Sequence, residues 1–204
     1  MSLRLAWLPA LLAATLATTL AGAASAQTMR DGFFETSDHV RLHYLEAGPP
    51  LAPGIVMVPG WLMPAWIFQR QIRAFAQIYH VVALDPRGQG ESEIASGGSE
   101  PGRRAQDLAE LIDRMGGRPV VLLGWSLGVL DSLAYVNIHG DSRLAGLVLV
   151  DNSVGEEPAP KPPPRPPRAW RPLPYVQRLA AFVRGMFHRP PGEAYLDRLT
   201  EAAL

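Results

Sequence analysis

The pattern of hydrophobic positions changes along the chain from alternation to continuous apolar runs. Residues 40–45 alternate apolar and polar side chains, which predicts a half-exposed antiparallel strand. Four short apolar runs follow, at residues 55–58, 81–84, 120–123 and 147–150. Runs of this length and composition are typical of strands that are covered on both faces of a sheet.

Helical patterns separate the four apolar runs. Apolar residues recur near helical spacing within residues 65–79 and 103–115, and a third helix is predicted directly after residue 126. Gly116 and Gly117 mark the end of the second helix. Strands that alternate with helices predict an α/β fold, in which a doubly wound and mostly parallel sheet is built from right-handed βαβ units.

The composition changes after residue 154. Residues 155–174 are rich in proline, so they are predicted to form an extended, solvated linker after a core of residues 27–154. A ligand for a proline-recognition domain is the alternative function of this segment. Residues 175–204 show the spacing of two amphipathic helices.

Residues 1–26 have the organisation of a secretory signal peptide. Arg4 supplies a positive charge, residues 5–22 are almost wholly apolar, and Ala-Ser-Ala at residues 24–26 fits a cleavage site before Gln27. An uncleaved membrane anchor is the alternative, since the apolar run is nearly long enough to span a bilayer. The prediction is an exported protein, periplasmic or secreted, with no stable membrane insertion after cleavage.

Charge and cysteine content narrow the possible functions. The formal net charge is +0 at pH 7, so nothing indicates a nucleic-acid partner. The chain has no cysteine, which excludes disulfides, a thiol nucleophile and thiolate metal sites. No cofactor and no metal are expected.

Three motifs follow successive apolar runs. Pro-Gly-Trp at residues 59–61 follows the first run, and Asp-Pro-Arg-Gly-Gln-Gly-Glu-Ser at residues 85–92 follows the second. Gly-Trp-Ser-Leu-Gly at residues 124–128 follows the third run and precedes a predicted helix. A serine between two glycines at a strand-to-helix turn is the pattern of a nucleophile elbow, in which the serine is exposed above the sheet.

Together these motifs resemble the α/β-hydrolase superfamily, in its esterase and haloperoxidase-like branch. The elbow is similar to that of pimeloyl-carrier-protein methyl ester esterase and related carboxylesterases. The resemblance implies a serine hydrolase of small-molecule carboxylic esters, with Ser126 as the nucleophile and the backbone N–H groups of Trp61 and Leu127 as the oxyanion hole. It makes Asp151 a candidate for the acid of a catalytic triad, and it implies that Asp85 and Arg87 form a structured turn.

The histidine of that family has no clear counterpart in the chain. The family order is serine, acid and then histidine, and His188 is the one histidine after Ser126 that is expected in the region above the elbow. We therefore expect a C-terminally truncated chain that lacks the last strands, ends within a helical lid and leaves residues 147–150 as an exposed apolar edge.

The missing histidine leaves several functions open. A truncated chain is expected to be an inactive or weak hydrolase. The alternatives are a non-catalytic pseudoenzyme or binding module on the same fold, and haloperoxidase-like perhydrolysis or carbon–carbon bond hydrolysis by a similar elbow. The substrate and the oligomeric state are not predicted.

Overall fold

A computed structural model describes residues 28–152 and 173–204, in which strands and helices alternate. The strands are β1 (Arg30–Glu35), β2 (Arg41–Ala47), β3 (Gly54–Val58), β4 (His80–Leu84), β5 (Val120–Trp125) and β6 (Leu144–Val150). The helices are α1 (Gln69–Phe75), α2 (Pro101–Arg114), α3 (Leu127–His139), α4 (Tyr175–Gly185) and α5 (Glu193–Ala202), and a short 3-10 helix (Ala65–Phe68) precedes α1.

The described strands form a single sheet in the order β1-β2-β4-β3-β5-β6. The pairs β1-β2 and β2-β4 are antiparallel, whereas the other three pairs are parallel. This arrangement confirms the predicted α/β fold with a mostly parallel, doubly wound sheet. Because β3 and β5 are neighbours and run in the same direction, the loops that follow them meet at one edge of the sheet.

Helices cover both faces of the central strands. On β3, Val56 and Val58 pack in one apolar cluster with residues of α2, such as Leu108. The alternate residues Ile55 and Met57 belong to a second cluster on the opposite face. All five residues of β3 are buried. This double coverage explains why the strand has no polar positions in its sequence.

Strand β1 was not predicted from the hydrophobic pattern. It pairs with the whole of β2, from Arg30 opposite Glu46 to Glu35 opposite Arg41. Phe34 is its one buried side chain, and the other positions are exposed or half-buried. An edge strand with a single buried residue shows little alternation of apolar and polar side chains. The hydrophobic pattern therefore predicted its partner β2 but not β1.

Strand β6 lies at the other edge of the sheet and is paired with β5. The prediction that residues 147–150 are covered on both faces is wrong, because Leu147, Val148, Leu149 and Val150 are 37–41% exposed. The expectation of an exposed apolar edge is confirmed. Among the described residues, no second strand pairs with β6, and Leu144 at its start packs against the core.

The helices α4 and α5 occupy residues that were predicted to be helical. They pack on each other and on the loop after β3, where Met63 is buried among Leu179, Val183, Leu196 and Leu199. The Trp66 ring contacts Tyr195 of α5 edge-on, with ring centroids 5.4 Å apart. This helical pair therefore lies at the edge of the sheet where the loops after β3 and β5 meet.

Two predicted segments lie outside the described residues. They are the signal peptide at residues 1–26 and the linker at residues 155–174, of which only the last two residues are described. Within the described ranges, no helix has the length and apolarity to cross a bilayer. The division of the chain at residues 26, 154 and 174 stays a prediction.

Candidate active site

Ser126 lies in a sharp turn between the end of β5 and the start of α3. Its backbone has φ 53° and ψ −117°, a strained conformation for a residue with a side chain. The Ser126 N–H donates to the carbonyl oxygen of Val150 at 2.9 Å, and the side-chain amide of Asn152 donates to the Ser126 carbonyl at 2.6 Å. The end of β6 therefore holds the serine backbone through both its N–H and its carbonyl group.

The two glycines of the elbow allow α3 to lie close to the sheet. A Cβ atom on Gly124 would be 2.3 Å from the carbonyl oxygen of Gly128. A Cβ atom on Gly128 would be 2.3 Å from the carbonyl oxygen of Val58, on the neighbouring strand. Any side chain at these positions would push the helix away from β3 and β5. The spacing of Gly124 and Gly128 around Ser126 thus has a steric cause.

The loop after β3 lies directly against the serine side chain. A Cβ atom on Gly60 would be 3.0 Å from the Cβ and 3.4 Å from the Oγ of Ser126. The next residue, Trp61, has an exposed side chain whose ring lies near that of Phe182 on α4, with centroids 6.2 Å apart. The structure therefore brings together Ser126 and the Pro-Gly-Trp motif, as the motif order predicts.

Two backbone N–H groups, those of Trp61 and Leu127, directly follow the two residues that meet here, Gly60 and Ser126. The Leu127 N–H belongs to the first turn of α3, where no intrahelical acceptor exists. The Trp61 N–H makes no hydrogen bond to any other described residue. Free donors beside a serine hydroxyl, with the positive end of a helix dipole behind one of them, are the donor groups that an oxyanion hole requires.

The match to a known family agrees with this geometry. The α/β-hydrolase fold family matches residues 53–189, which is more than half of the chain. The chain belongs to the α/β-hydrolase family. The matched range includes the elbow, the loop after β3 and the turn after β4.

Individual relatives of this α/β hydrolase have several different activities. A non-heme chloroperoxidase of Streptomyces lividans is 32% identical over 120 residues, which are 58% of this chain and 44% of that protein. Epoxide hydrolase A of Mycobacterium tuberculosis is 34% identical over 128 residues, which are 61% of this chain and 39% of that protein. The chain thus spans less than half the length of these curated relatives.

Solved structures show the same fold. A candidate aryl esterase from Burkholderia cenocepacia superposes with a TM-score of 0.72 at 29% identity, covering 85% of this chain and 67% of that one. An α/β hydrolase from Novosphingobium aromaticivorans has a TM-score of 0.54 at 28% identity, covering 59% of this chain and 43% of that one. The relatives support an enzyme of the hydrolase class without selecting one reaction.

Asp151 lies at the end of β6, next to the elbow of this α/β hydrolase. It is exposed and has a positive φ of 58°. Its carboxylate makes no hydrogen bond or ion pair with a described side chain, whereas its neighbour Asn152 contacts the elbow directly. The structure therefore places Asp151 at the same edge of the sheet as Ser126, and its role as the triad acid stays a prediction.

None of the five histidines, all within the described residues, is hydrogen-bonded to Ser126. Three of them bond carboxylates: His39 bonds Glu35, His43 bonds Asp85 and Asp31, and His80 bonds Glu46. His139 lies on the Tyr135 ring, and His188 is exposed after α4. The base that would take the proton of Ser126 is therefore not identified among the contacts of these histidines.

The motif at residues 85–92 forms a dense hydrogen-bonded turn. The carboxylate of Asp85 accepts hydrogen bonds from the backbone N–H groups of Ala65 and Glu91, the latter at 2.9 Å, and lies 2.7 Å from Nδ1 of His43. Arg87 is buried and binds both oxygens of Asp107 at 2.7 Å. The structural roles expected of Asp85 and Arg87 are consistent with these contacts.

A cavity of about 420 Å³ opens beside the two candidate oxyanion donors. Its walls include Trp61, Leu62, Leu127 and Leu130. The arginines in its wall, Arg87 and Arg104, are both paired with carboxylates, those of Asp107 and Asp131. The cavity therefore offers several apolar side chains to a ligand, and each arginine in its wall already has a carboxylate partner.

His43 gives the stability of this α/β hydrolase a predicted pH dependence. Burial alone lowers the pKa of His43, but the hydrogen bonds and charges of Asp85 and Asp31 outweigh burial and raise the pKa above its usual value. A raised pKa stabilises the folded state most below about pH 6.5, and this stabilisation is lost as the pH rises through the folded-state pKa.

We therefore expect the stability difference between wild type and His43→Gln to be larger near pH 6 than near pH 9. Urea unfolding at a series of pH values measures this difference. His188→Gln, at an exposed position, serves as the control. A difference that grows as the pH rises would contradict the assigned direction of the pKa shift.

Proposed function

We propose that this chain is a serine hydrolase of the α/β-hydrolase family that acts on carboxylic esters through Ser126. The observation that carries the proposal is the conformation of Ser126, with φ 53° at the N-terminus of α3 and the Gly60 backbone against its side chain. Backbone strain of this kind is concentrated at active sites. An ester carbonyl above Ser126 would lie between the oxyanion donors Trp61 and Leu127.

In the proposed reaction, Oγ of Ser126 attacks the ester carbonyl carbon and loses its proton to a general base. The negative charge on the carbonyl oxygen is stabilised by the N–H groups of Trp61 and Leu127. The alcohol then leaves with a proton, and water hydrolyses the acyl-serine. We assign to Asp151 the role of orienting the base, because it directly follows the strand next to the elbow.

None of the histidines is hydrogen-bonded to Ser126, so we expect slow ester hydrolysis. Removing the histidine of a serine triad lowers kcat by about 10⁶-fold, although the oxyanion hole and substrate binding leave some catalysis. We therefore propose that this 204-residue chain is a weak hydrolase. The cavity beside Trp61 favours esters with a neutral group, because the arginines in its wall are already paired with carboxylates.

The proposed nucleophile is tested by covalent labelling of the 204-residue chain with an alkyl fluorophosphonate. We expect slow modification that peptide mass spectrometry locates at Ser126, and no modification of that peptide in Ser126→Ala. Ser142→Ala, at an exposed loop position, is the control and should label like the wild type. Equal labelling of several exposed serines would show that Ser126 has no special reactivity.

A second candidate function is a non-catalytic binding protein on the same fold. It is favoured by the same histidine contacts, since all three carboxylate-bonded histidines lie in or beside β1, β2 and β4 rather than at the elbow. Hydrolysis of an activated aryl ester by the wild-type chain, lost in Ser126→Ala, would exclude it. Perhydrolysis is a further alternative, since a relative from Acinetobacter calcoaceticus is named as a bifunctional esterase/perhydrolase.

We also propose that the protein is periplasmic or secreted. The predicted signal peptide at residues 1–26 supports an exported enzyme that would meet its ester substrate in the periplasm or outside the cell.

A further inference from the structure

The turn that carries Trp61 has a conformation that its own sequence does not favour. The Met63 N–H donates to the carbonyl oxygen of Gly60 at 3.1 Å and closes a four-residue turn. The third residue of this turn, Leu62, has a positive φ of 61°. Glycine or asparagine is the usual residue at such a position, because a branched side chain is strained there. Contacts from outside the turn must therefore hold it.

Gln89 supplies these contacts from the turn after β4. Its Nε2 donates to the carbonyl oxygens of Gly60 and Met63, each at 3.2 Å. Its Oε1 accepts the N–H of Leu62 at 2.8 Å. The side chain is only 6% exposed, so both amide protons and the amide oxygen are used within the protein.

The position of Gln89 is itself well fixed. Its N–H donates to the carbonyl oxygen of Pro86 at 2.9 Å, and its carbonyl accepts the N–H of Ser92 at 3.1 Å. The same turn is tied to the start of the 3-10 helix, because the Asp85 carboxylate accepts the N–H of Ala65. A rigid turn thus presents the Gln89 amide to the loop after β3.

The Gln89 contacts orient both peptide groups that flank Trp61. The Gly60 carbonyl and the Trp61 N–H belong to one planar trans peptide, so they point in opposite directions. A hydrogen bond that fixes the Gly60 carbonyl toward Gln89 therefore fixes the Trp61 N–H on the side away from Gln89. The hydrogen bond from the Leu62 N–H to Oε1 of Gln89 fixes the direction of the Trp61–Leu62 peptide in the same way.

We propose that Gln89 is a positioning residue that sets the direction of the Trp61 N–H for an oxyanion at Ser126. This inference rests on the proposed function, because it gives the Trp61 N–H a catalytic task. Gln89 touches neither the serine nor the ester, and it acts through the Gly60–Trp61 peptide. An amide is required, since two carbonyl groups and one N–H must be satisfied by the same side-chain end.

Two variants separate this role from simple packing. Gln89→Leu removes all three hydrogen bonds at a similar size. Gln89→Glu keeps the shape and an acceptor for the Leu62 N–H, but its carboxylate cannot donate to the two carbonyls at neutral pH. Gln106→Leu is the matched control, because the one described hydrogen bond of the Gln106 side chain goes to Glu110 on the same helix.

The first measurement is hydrogen exchange of the full chain, followed at the Leu62 amide. We expect exchange at Leu62 to be at least tenfold faster in Gln89→Leu than in wild type, with unchanged exchange in the core of β5. Gln106→Leu should match the wild type. Unchanged exchange at Leu62 in Gln89→Leu would overturn the proposed contact, and this result does not depend on any activity of Ser126.

The second measurement compares labelling of Ser126 by a fluorophosphonate and by its P=S analogue. Sulfur accepts hydrogen bonds weakly, so the ratio of the two rates reports the oxyanion donors rather than the serine alone. Since loss of one such donor costs about 10²–10³ in rate, we expect the oxygen-to-sulfur ratio to fall about tenfold in both Gln89 variants.

The possible outcomes are distinct. Faster Leu62 exchange with an unchanged ratio would show that Gln89 is only structural, which overturns the positioning role. Absence of labelling in the wild type would contradict the proposed function instead, and it would overturn the catalytic task assigned to Trp61 even if the exchange result showed that Gln89 holds the loop.

Discussion

Replacing Asp131 with alanine is expected to lower the free energy of unfolding by about 3–5 kcal/mol. Asp131 lies on α3, the helix that begins at the elbow, and binds Arg104 of α2 through both carboxylate oxygens, with Nε of Arg104 2.8 Å from Oδ1. Both residues are buried, with Asp131 3% and Arg104 8% exposed. The variant leaves the guanidinium of Arg104 buried, charged and unpaired, since arginine does not lose its proton in proteins.

Urea unfolding of a small set of variants tests this expectation. The double variant Arg104→Met/Asp131→Leu removes both charges and should recover most of the loss, because a buried pair can be replaced by apolar side chains at little cost. Asp113→Ala is the matched control, since its pair with Arg143 is partly exposed and should contribute about 0–1 kcal/mol. A loss in Asp131→Ala no larger than in Asp113→Ala would contradict the prediction.

Gly128→Ala is expected to be comparably destabilising, by about 3 kcal/mol. The added methyl group would lie 2.3 Å from the carbonyl oxygen of Val58 and 2.9 Å from that of Pro59. These neighbours are backbone atoms of β3 and the following loop, so no side chain can rotate to make room. The helix α3 must move away from β3, and the contact between Gly60 and Ser126 is disturbed at the same time.

The comparison for this substitution is Gly102→Ala in α2. Apart from the nearby backbone of its own helix, no described atom lies within 4 Å of a Cβ placed on Gly102, so alanine there should be neutral or stabilising by up to about 1 kcal/mol. Thermal and urea unfolding of the two variants measure the difference. If Gly128→Ala were as stable as Gly102→Ala, the close approach of α3 to β3 would not exist in solution.

The sheet was predictable because the central strands are buried on both faces. Continuous apolar runs with helical segments between them identify β3, β4 and β5 without further information. The hydrophobic pattern alone predicted neither the pairing of β1 nor the exposure of β6, and the exposed edge was expected only because the family resemblance indicated that the last strands are missing. The signal in β1 is reduced to Phe34, and the exposure of residues 147–150 depends on which strands lie beside β6, which a local apolar run does not encode.

The candidate site was predictable as far as its backbone requires special residues. Gly124 and Gly128 are needed for close approach, so the elbow is visible in the sequence. The sequence did not predict three sets of contacts, because each joins segments that are distant in the chain. They are the contacts of Gln89, those of Asn152 and the ion pair Arg104–Asp131. Gln89 lies within the motif at residues 85–92, which is recognisable in the sequence. Its role in holding the loop after β3 is visible only from its three hydrogen bonds in the structure.

The attachment of Ser126 to β6 links the position of the proposed nucleophile to the opening of a sheet edge. The Ser126 N–H donates to the carbonyl of Val150, the last residue of β6. The Ser126 carbonyl accepts a hydrogen bond from the side chain of Asn152, two residues after Val150. Strand ends at an edge open more readily than central strands, since fewer hydrogen bonds must break. Any polypeptide segment that pairs with the free side of β6 would therefore slow this opening and, through two hydrogen bonds, narrow the range of positions that Ser126 samples.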